Sequence, residues 1–190
     1  MAASERIRGV RGIALVVAIG AAIGCGGSGC SSAYDAALRD MALSGDARLG
    51  VRVDEMVRCA EHAVRSLGEA AEWYGSHADR ASSSSDVHFT VLLCDAEAGV
   101  FEFSRRVLSV EDVSGGVDPE RTGAVAHLHA SMGQSERSMG AALAALKGLA
   151  SGDPGASIEV VMRAVNAARA DAEALRREAR AIRSSAGTPS

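Results

Sequence analysis

The sequence predicts an all-α protein, an elongated antiparallel helical bundle or set of coiled-coil hairpins. Three observations predict it. Alanine is abundant while aromatic residues make up only 3% of the chain. Alanine is the strongest helix former, whereas strands favour aromatic and β-branched residues. The prolines are Pro119, Pro154 and Pro189, each where a helix would start or the chain ends. Finally, four segments repeat apolar residues at alternating spacings of three and four, as heptad seams do.

The first segment places Val53, Met56, Ala60, Ala63, Leu67, Ala70 and Tyr74 on one seam, widened by Val57, Val64 and Ala71. Ser44-Gly-Asp46 precedes it and offers side-chain oxygens to the free N–H groups of a helix start. The serine run 82–85 breaks the pattern. The second segment begins near Asp86 with Phe89, Leu92 or Leu93, Ala96, Val100, Phe103, Val107 and Val110 in its seam. Its first half has a rival reading, since Val87, Phe89, Val91 and Leu93 alternate as in a half-buried strand. Helix is the better reading, because the three-four spacing continues well past the end of the alternation. Gly115-Gly116 ends it.

Pro119 opens the third segment, which suits the first helical turn. Val125, Leu128, Met132, Ser135, Met139, Ala142, Leu146 and Leu149 form its seam, with Ser135 as the polar member. Ser151-Gly-Asp-Pro-Gly155 is a turn: glycine permits positive φ, and Pro154 cannot continue the preceding helix. The fourth seam is Ile158, Val161, Val165, Ala168, Ala172, Leu175, Ala179 and Ile182, with Arg169, Glu173 and Arg176 on the outer, solvated face. Segments of roughly 25–35 residues span about 40–50 Å, and short connections between them favour antiparallel neighbours. A shorter helix is expected over residues 34–43. The bundle domain is expected to cover 33–184, followed by a disordered tail at 185–190.

The amino terminus has a different organisation. Arg6, Arg8 and Arg11 precede an uncharged run over residues 13–23, and then comes Gly24-Cys25. A basic region, an apolar region and small residues at a cleavage point compose a secretory signal over residues 1–24. The apolar run is about half the ~20 residues that a membrane-spanning helix needs. Ala22-Ile23-Gly24-Cys25 resembles the lipobox of bacterial lipoproteins, with alanine in place of the usual leucine three residues before the cut. That resemblance implies cleavage before Cys25 and lipid attachment to its thiol. Multiple acyl chains anchor a protein stably, where one binds only marginally. Cys30 is a poorer candidate, because no apolar segment leads directly into it. Residues 25–32, rich in glycine and serine, read as a flexible tether. Gly26 is not the aspartate that holds many lipoproteins in an inner membrane, which implies the periplasm-facing leaflet of an outer membrane.

Loss of residues 1–24 removes three arginines and one glutamate and takes the net charge from −4 to −6. Such an acidic surface argues against nucleic acid as a partner, because phosphate binding needs a basic stripe. With Cys25 assigned to lipid, Cys30, Cys59 and Cys94 remain as an odd number. A hairpin tip at 82–85 would set Cys59 opposite about residue 107 and Cys94 opposite about residue 72. The two sulfurs would then lie roughly 20 Å apart along the axis, far beyond bridging range. No structural disulfide is expected; buried or half-buried thiols on helices are.

Tyr34 with Ala37, Arg52-Val53, the stretch Ser104-Arg-Arg-Val-Leu-Ser-Val-Glu-Asp-Val113, Glu136-Arg-Ser-Met139 and the helix from Ala156 carry a wider likeness. Together they resemble a family of uncharacterised bacterial helical exported lipoproteins, over most of residues 33–183. The resemblance implies paired long helices and export, and no catalytic site. This chain departs from the pattern in being less acidic, richer in alanine and glycine, and in having Cys59 and Cys94.

The motifs of common chemistries are missing. No glutamate has a histidine three residues on, as a di-iron bundle requires. His127 and His129 point about 200° apart on a helix and cannot share a metal. His77 and His88 could meet across the 82–85 tip, with no evident third ligand. Gly-x-Ser-x-Gly, Walker A and Rossmann glycine patterns are absent, and Gly24-Cys-Gly-Gly-Ser-Gly belongs to the signal and tether. Of Trp73 and Tyr74, one is expected on the seam and the other outward; an exposed tryptophan could anchor a partner, but partial burial of Trp73 in the helix pair is the favoured reading. Glu69 and Glu72 read as a surface pair. The expectation is therefore a non-catalytic envelope lipoprotein that holds or spaces a protein partner, without cofactor or metal. The competing reading is an envelope hydrolase or transferase whose site follows no known motif.

Overall fold

The computed structural model describes residues 45–77, 87–115 and 122–186. They form four helices: α1 (Gly45–Ser76), α2 (Val87–Ser114), α3 (Thr122–Ser151) and α4 (Ile158–Ala186). No strand occurs among the described residues. The stretch 87–93 is helical, so the three-four spacing outweighs the local alternation there. The expected helix at 34–43, the tether, Ser44 and Pro119 lie outside the described residues. Helix α4 runs to Ala186, past the expected start of a disordered tail at 185.

All four helices belong to one compact unit, Ser44–Ser190. α1 packs most extensively on α2 and also on α4, and α3 packs on α4 and, more thinly, on α2. A narrow diagonal contact joins α1 to α3. Cross-helix pairs fix the directions. Glu55 meets Arg106 and Ser66 meets Asp95 between α1 and α2, so these helices run antiparallel. Asp54–Arg183 and Glu61–Arg176 do the same for α1 and α4. Lys147–Glu97 and His129–Ser114 set α3 against α2. The result is an up-down-up-down four-helix bundle, the topology expected when each seam must find cover through short connections.

The seams form the core. Val53, Met56, Ala60, Ala63, Leu67 and Ala70 of α1 are at most 1% exposed, and all eight seam residues of α3 are buried. In α4 the seam is buried from Val161 to Ile182, and Ile158 is half-buried at its start. α2 departs from its expected seam. Phe89, Ala96, Phe103, Val107 and Val110 are buried, while Leu92, Leu93 and Val100 are only half-buried and Gly99 is buried instead. Leu93 and Val100 lie on the flank toward α3, whose thin contact leaves it partly open, whereas Leu92 shares the α1-facing position of Gly99 and Arg106. Ser135 is fully enclosed and its Oγ has no hydrogen-bond partner. Such an orphaned hydroxyl costs about 1–3 kcal/mol, so the polar member of the α3 seam weakens it.

Helix ends follow their local chemistry. Gly152 adopts φ 71°. Its N–H donates to Leu149 O at 3.1 Å while the Asp153 N–H donates to Gly148 O at 3.0 Å. This paired closure, with a left-handed glycine after the helix, satisfies two of the orphan carbonyls of α3. Asp153 Oδ1 then accepts from the Gly155 N–H at 2.9 Å, tightening the turn. Ser157 caps α4, its Oγ accepting from the Val160 N–H at 3.3 Å.

Candidate functional site

Cys25, the expected lipid attachment residue, lies outside the described residues. Three arrangements within the bundle carry functional side chains: an aromatic–imidazole group at one end, a charged strip between α1 and α2, and two thiols.

The first arises where α1 ends and α2 begins. Trp73 stacks on His77 with ring centres 4.7 Å apart, lies 5.4 Å from His88 and packs on Phe89 at 5.8 Å. Tyr74 tilts against Phe89 at 5.1 Å. Both Trp73 and Tyr74 are half-buried against the core, the favoured reading for Trp73, so neither projects fully outward. The helix spacing explains this: His77 is one turn beyond Trp73, and Phe89 comes across from α2. The two histidines that were expected to face each other across the tip both pack on the indole of Trp73. His77 Nδ1 lies 3.0 Å from the Trp73 carbonyl oxygen and donates to it, covering a carbonyl at the end of α1. Glu69 and Glu72 are exposed on the outer surface nearby.

The second arrangement centres on Arg106. Its guanidinium donates to Glu55 at 2.9 Å through one nitrogen and to Glu102 at 2.9 Å through another. Arg52 approaches Glu55 at 3.3 Å from the same helix. The Arg106 and Glu55 side chains retain 27% and 32% exposure, and for partly wet pairs of this kind roughly 0–1 kcal/mol is typical. The strip fixes the α1–α2 register more than it adds stability.

That register also places the thiols. Glu55–Arg106 and Ser66–Asp95 together set Cys59 opposite residue 102 and Cys94 opposite Leu67. The expected positions, 107 and 72, are each five residues away from these, so the α1–α2 register differs from the expected one by about one and a half turns. Cys59 and Cys94 still sit about eight residues apart in height, or ~12 Å, and both are free. Cys59 is half-buried beside Arg106, and burial raises its pKa while the Arg106 charge partly offsets that rise. Cys94 is fully on the surface of α2, rather than buried or half-buried as expected. Since thiolate and access together set reactivity, alkylation at mildly alkaline pH should modify Cys94 roughly tenfold faster than Cys59. Mass mapping after limited iodoacetamide treatment checks this, and equal rates would mean that α1 and α2 separate readily.

His127 is exposed, while His129 is half-buried and lies 3.1 Å from Ser114 Oγ. The two rings point to different surroundings, as their spacing predicts. Among the described residues no group of three or more His, Cys, Asp or Glu side chains is placed to hold a metal ion. No helix of the described residues is long and apolar enough to cross a membrane.

Reading only one phase of the α2 heptads misses a second apolar line. Val87, Val91, Phe101 and Leu108 are 75%, 58%, 62% and 61% exposed. With Cys94 and Ala98 they lie on the face away from the core, at spacings of three and four from Val87 to Phe101, and Arg105 separates Phe101 from Leu108. The signal was present in the sequence as a second three-four series in the same segment. Compared with known protein families, curated proteins and solved structures, the chain matches none.

Proposed function

We propose that the chain is a bacterial envelope lipoprotein, held to a membrane through lipid on Cys25, whose helical bundle acts as a non-catalytic spacer or protein-interaction module. The observation that carries this reading is the order of its amino terminus: three arginines, an uncharged apolar run, and Ala22-Ile23-Gly24-Cys25. The glycine- and serine-rich residues after Cys25 suit a tether that lets a folded body stand off a lipid surface. Gly26 favours the inner leaflet of an outer membrane. The likeness of residues 104–113 and the flanking helices to exported helical lipoproteins agrees with this placement. A bundle whose seam positions are filled by alanine, leucine, valine and methionine suits a rigid body that presents its outer faces to partners.

The test is Cys25→Ser in the natural host. Retention in the membrane fraction and incorporation of labelled palmitate should both be lost, leaving uncleaved precursor or a soluble form. Cys30→Ser should change neither. Normal processing and membrane retention of Cys25→Ser would overturn the reading.

A further inference from the structure

The ring of four helices has three close joints and one open one. Glu97–Lys147 and Ser114–His129 set the register between α2 and α3. Counting by heptads from Glu97–Lys147 brings Ser104 opposite Gly140 and Glu111 opposite Gly133. Neither rung is filled from α3. A Cβ at Gly140 would meet nothing within 4 Å, and one at Gly133 would meet only Arg137 of its own helix. The apolar neighbours along this joint are uncovered to match, since Leu93 and Val100 on α2 and Leu143 on α3 are half-buried.

The α1–α4 joint, directly across the ring, is built differently. Its heptad rungs are Asp54–Arg183 and Glu61–Arg176. At the next rung the Arg169 guanidinium reaches over Gly68, 3.5 Å from where a Cβ would stand. Val64 and Ala71 beside this row are buried, and the two helices pack far more extensively than α2 and α3 do. A joint opens the more readily the fewer apolar contacts it gives up, so local opening follows the thinnest joint. The polar ties across α2–α3 add little to hold it. Glu97 and Lys147 are 54% and 46% exposed, and ion pairs so wet are weak.

We propose that the bundle opens along the α2–α3 joint, as two hairpins, α1–α2 and α3–α4, that turn about the α1–α4 joint. The narrow diagonal contact of α1 with α3 parts with it. Opening uncovers the inner faces of α2 and α3, where Phe103 and Val107 stand with Met139 and Leu146, all buried in the closed form. The chain between the two helices does not hold the joint shut. Residues 115–121 join Ser114 to Thr122, and at 3.3–3.6 Å per residue they reach about 25 Å. The closed bundle thus keeps its main apolar seams inside, and the open one presents them in a cleft between two intact hairpins. The inference rests on the packing of the helices and is independent of the lipid anchor.

Thiol trapping in the full chain tests it, in a background of Cys30→Ser, Cys59→Ser and Cys94→Ser, with the modified peptide identified by mass. Val107 shares the heptad position of Val100 and Ser114 toward α3, while Val64 stands one turn from Glu61 on the α4 side of α1. They are 3% and 7% exposed, so the closed form shields Val107 the better. Val107→Cys should nevertheless react with a maleimide roughly tenfold faster than Val64→Cys. Gly140→Leu fills the open rung and should slow that reaction well beyond Gly140→Ala, which gains helix propensity alone. Where Val107→Cys loses helicity by circular dichroism, Ala96→Cys against Ala71→Cys repeats the comparison at two fully buried positions. Equal rates at the two joints would mean that reagent enters only when the whole bundle unfolds, which overturns the proposal. So would Gly140→Leu that slows the reaction no more than Gly140→Ala. Loss of membrane retention in Cys25→Ser has no bearing on these outcomes, so the two readings fail separately.

Discussion

Leu175→Asp should cost the bundle about 4–5 kcal/mol, much of the 5–15 kcal/mol that typically separates a folded domain from its unfolded chain. Leu175 is fully buried in the middle of α4, on the side that faces the other helices. The substitution removes a large apolar side chain from a packed seam, itself worth ~2–5 kcal/mol when cut back to alanine. It also brings in a carboxyl group with no partner, which must either stay charged at a high desolvation cost or take up a proton. The melting temperature should fall by on the order of 10 °C or more. His127 is the useful comparison, because its ring is exposed on α3. His127→Ala should stay within about 0.5 kcal/mol of the parent, as surface substitutions usually do. Thermal melts of both variants, with and without chelator, decide the ranking. A His127→Ala or chelator effect as large as that of Leu175→Asp would mean that the histidines serve a structural or metal-binding role that the seam account omits.

The seam residues were legible because heptad periodicity encodes burial directly. In α3 and α4 each helix has one apolar stripe, so the buried positions follow from counting alone. α2 was harder for a physical reason: apolar residues occupy both its inner face, from Phe89 to Val110, and its outer face, from Val87 to Leu108. A helix with two stripes gives a weak periodic signal, and the same doubling produced the strand-like alternation at 87–93. Whether Leu93 and Val100 would be covered depended on how closely α3 approaches, and no local pattern encodes that distance.

The site features divide in the same way. Local spacing foretold that His127 and His129 diverge, and that Trp73 and Tyr74 sit at the end of a hairpin. Spacing did not foretell that Trp73 packs at once on His77, His88 and Phe89, because that depends on the α1–α2 register. The register is set by distributed packing and by the Glu55–Arg106 and Ser66–Asp95 pairs, and it differs by five residues, about one and a half turns, from a tip placed at the serine run. A slip along the axis leaves each apolar stripe facing its neighbour, so most of the expected core residues stay buried. It still moves every cross-helix partner, which is why the seams of α1, α3 and α4 were legible while the thiol positions were not.

Gly99→Leu should be the other severe substitution, and it probes that register. Gly99 is buried where α2 packs on the Ala63 backbone of α1. A Cβ built there would lie 3.1 Å from Ala63 Cα and 3.5 Å from both Ala63 Cβ and N. The obstacle is backbone, which cannot swing aside as a side chain can, and α1 is held from its other side by α4. Gly99→Ala presents two opposing effects. A few tenths of an ångström of helix movement is unfavourable, while replacing glycine by alanine inside a helix gains about 1 kcal/mol, so the net change should stay within ~1 kcal/mol. Leucine adds three further carbons beyond a Cβ that already meets the Ala63 backbone. Overpacking of this kind typically costs 1–3 kcal/mol, and the backbone contact places Gly99→Leu at or above ~3 kcal/mol. Urea unfolding followed by circular dichroism measures both variants. Because α1 and α2 make the most extensive contact in the bundle, Gly99→Leu should also speed alkylation of Cys59 by loosening the joint beside it. A leucine tolerated within ~1 kcal/mol, with Cys59 as protected as before, would mean that α1 and α2 do not meet at Ala63 and Gly99.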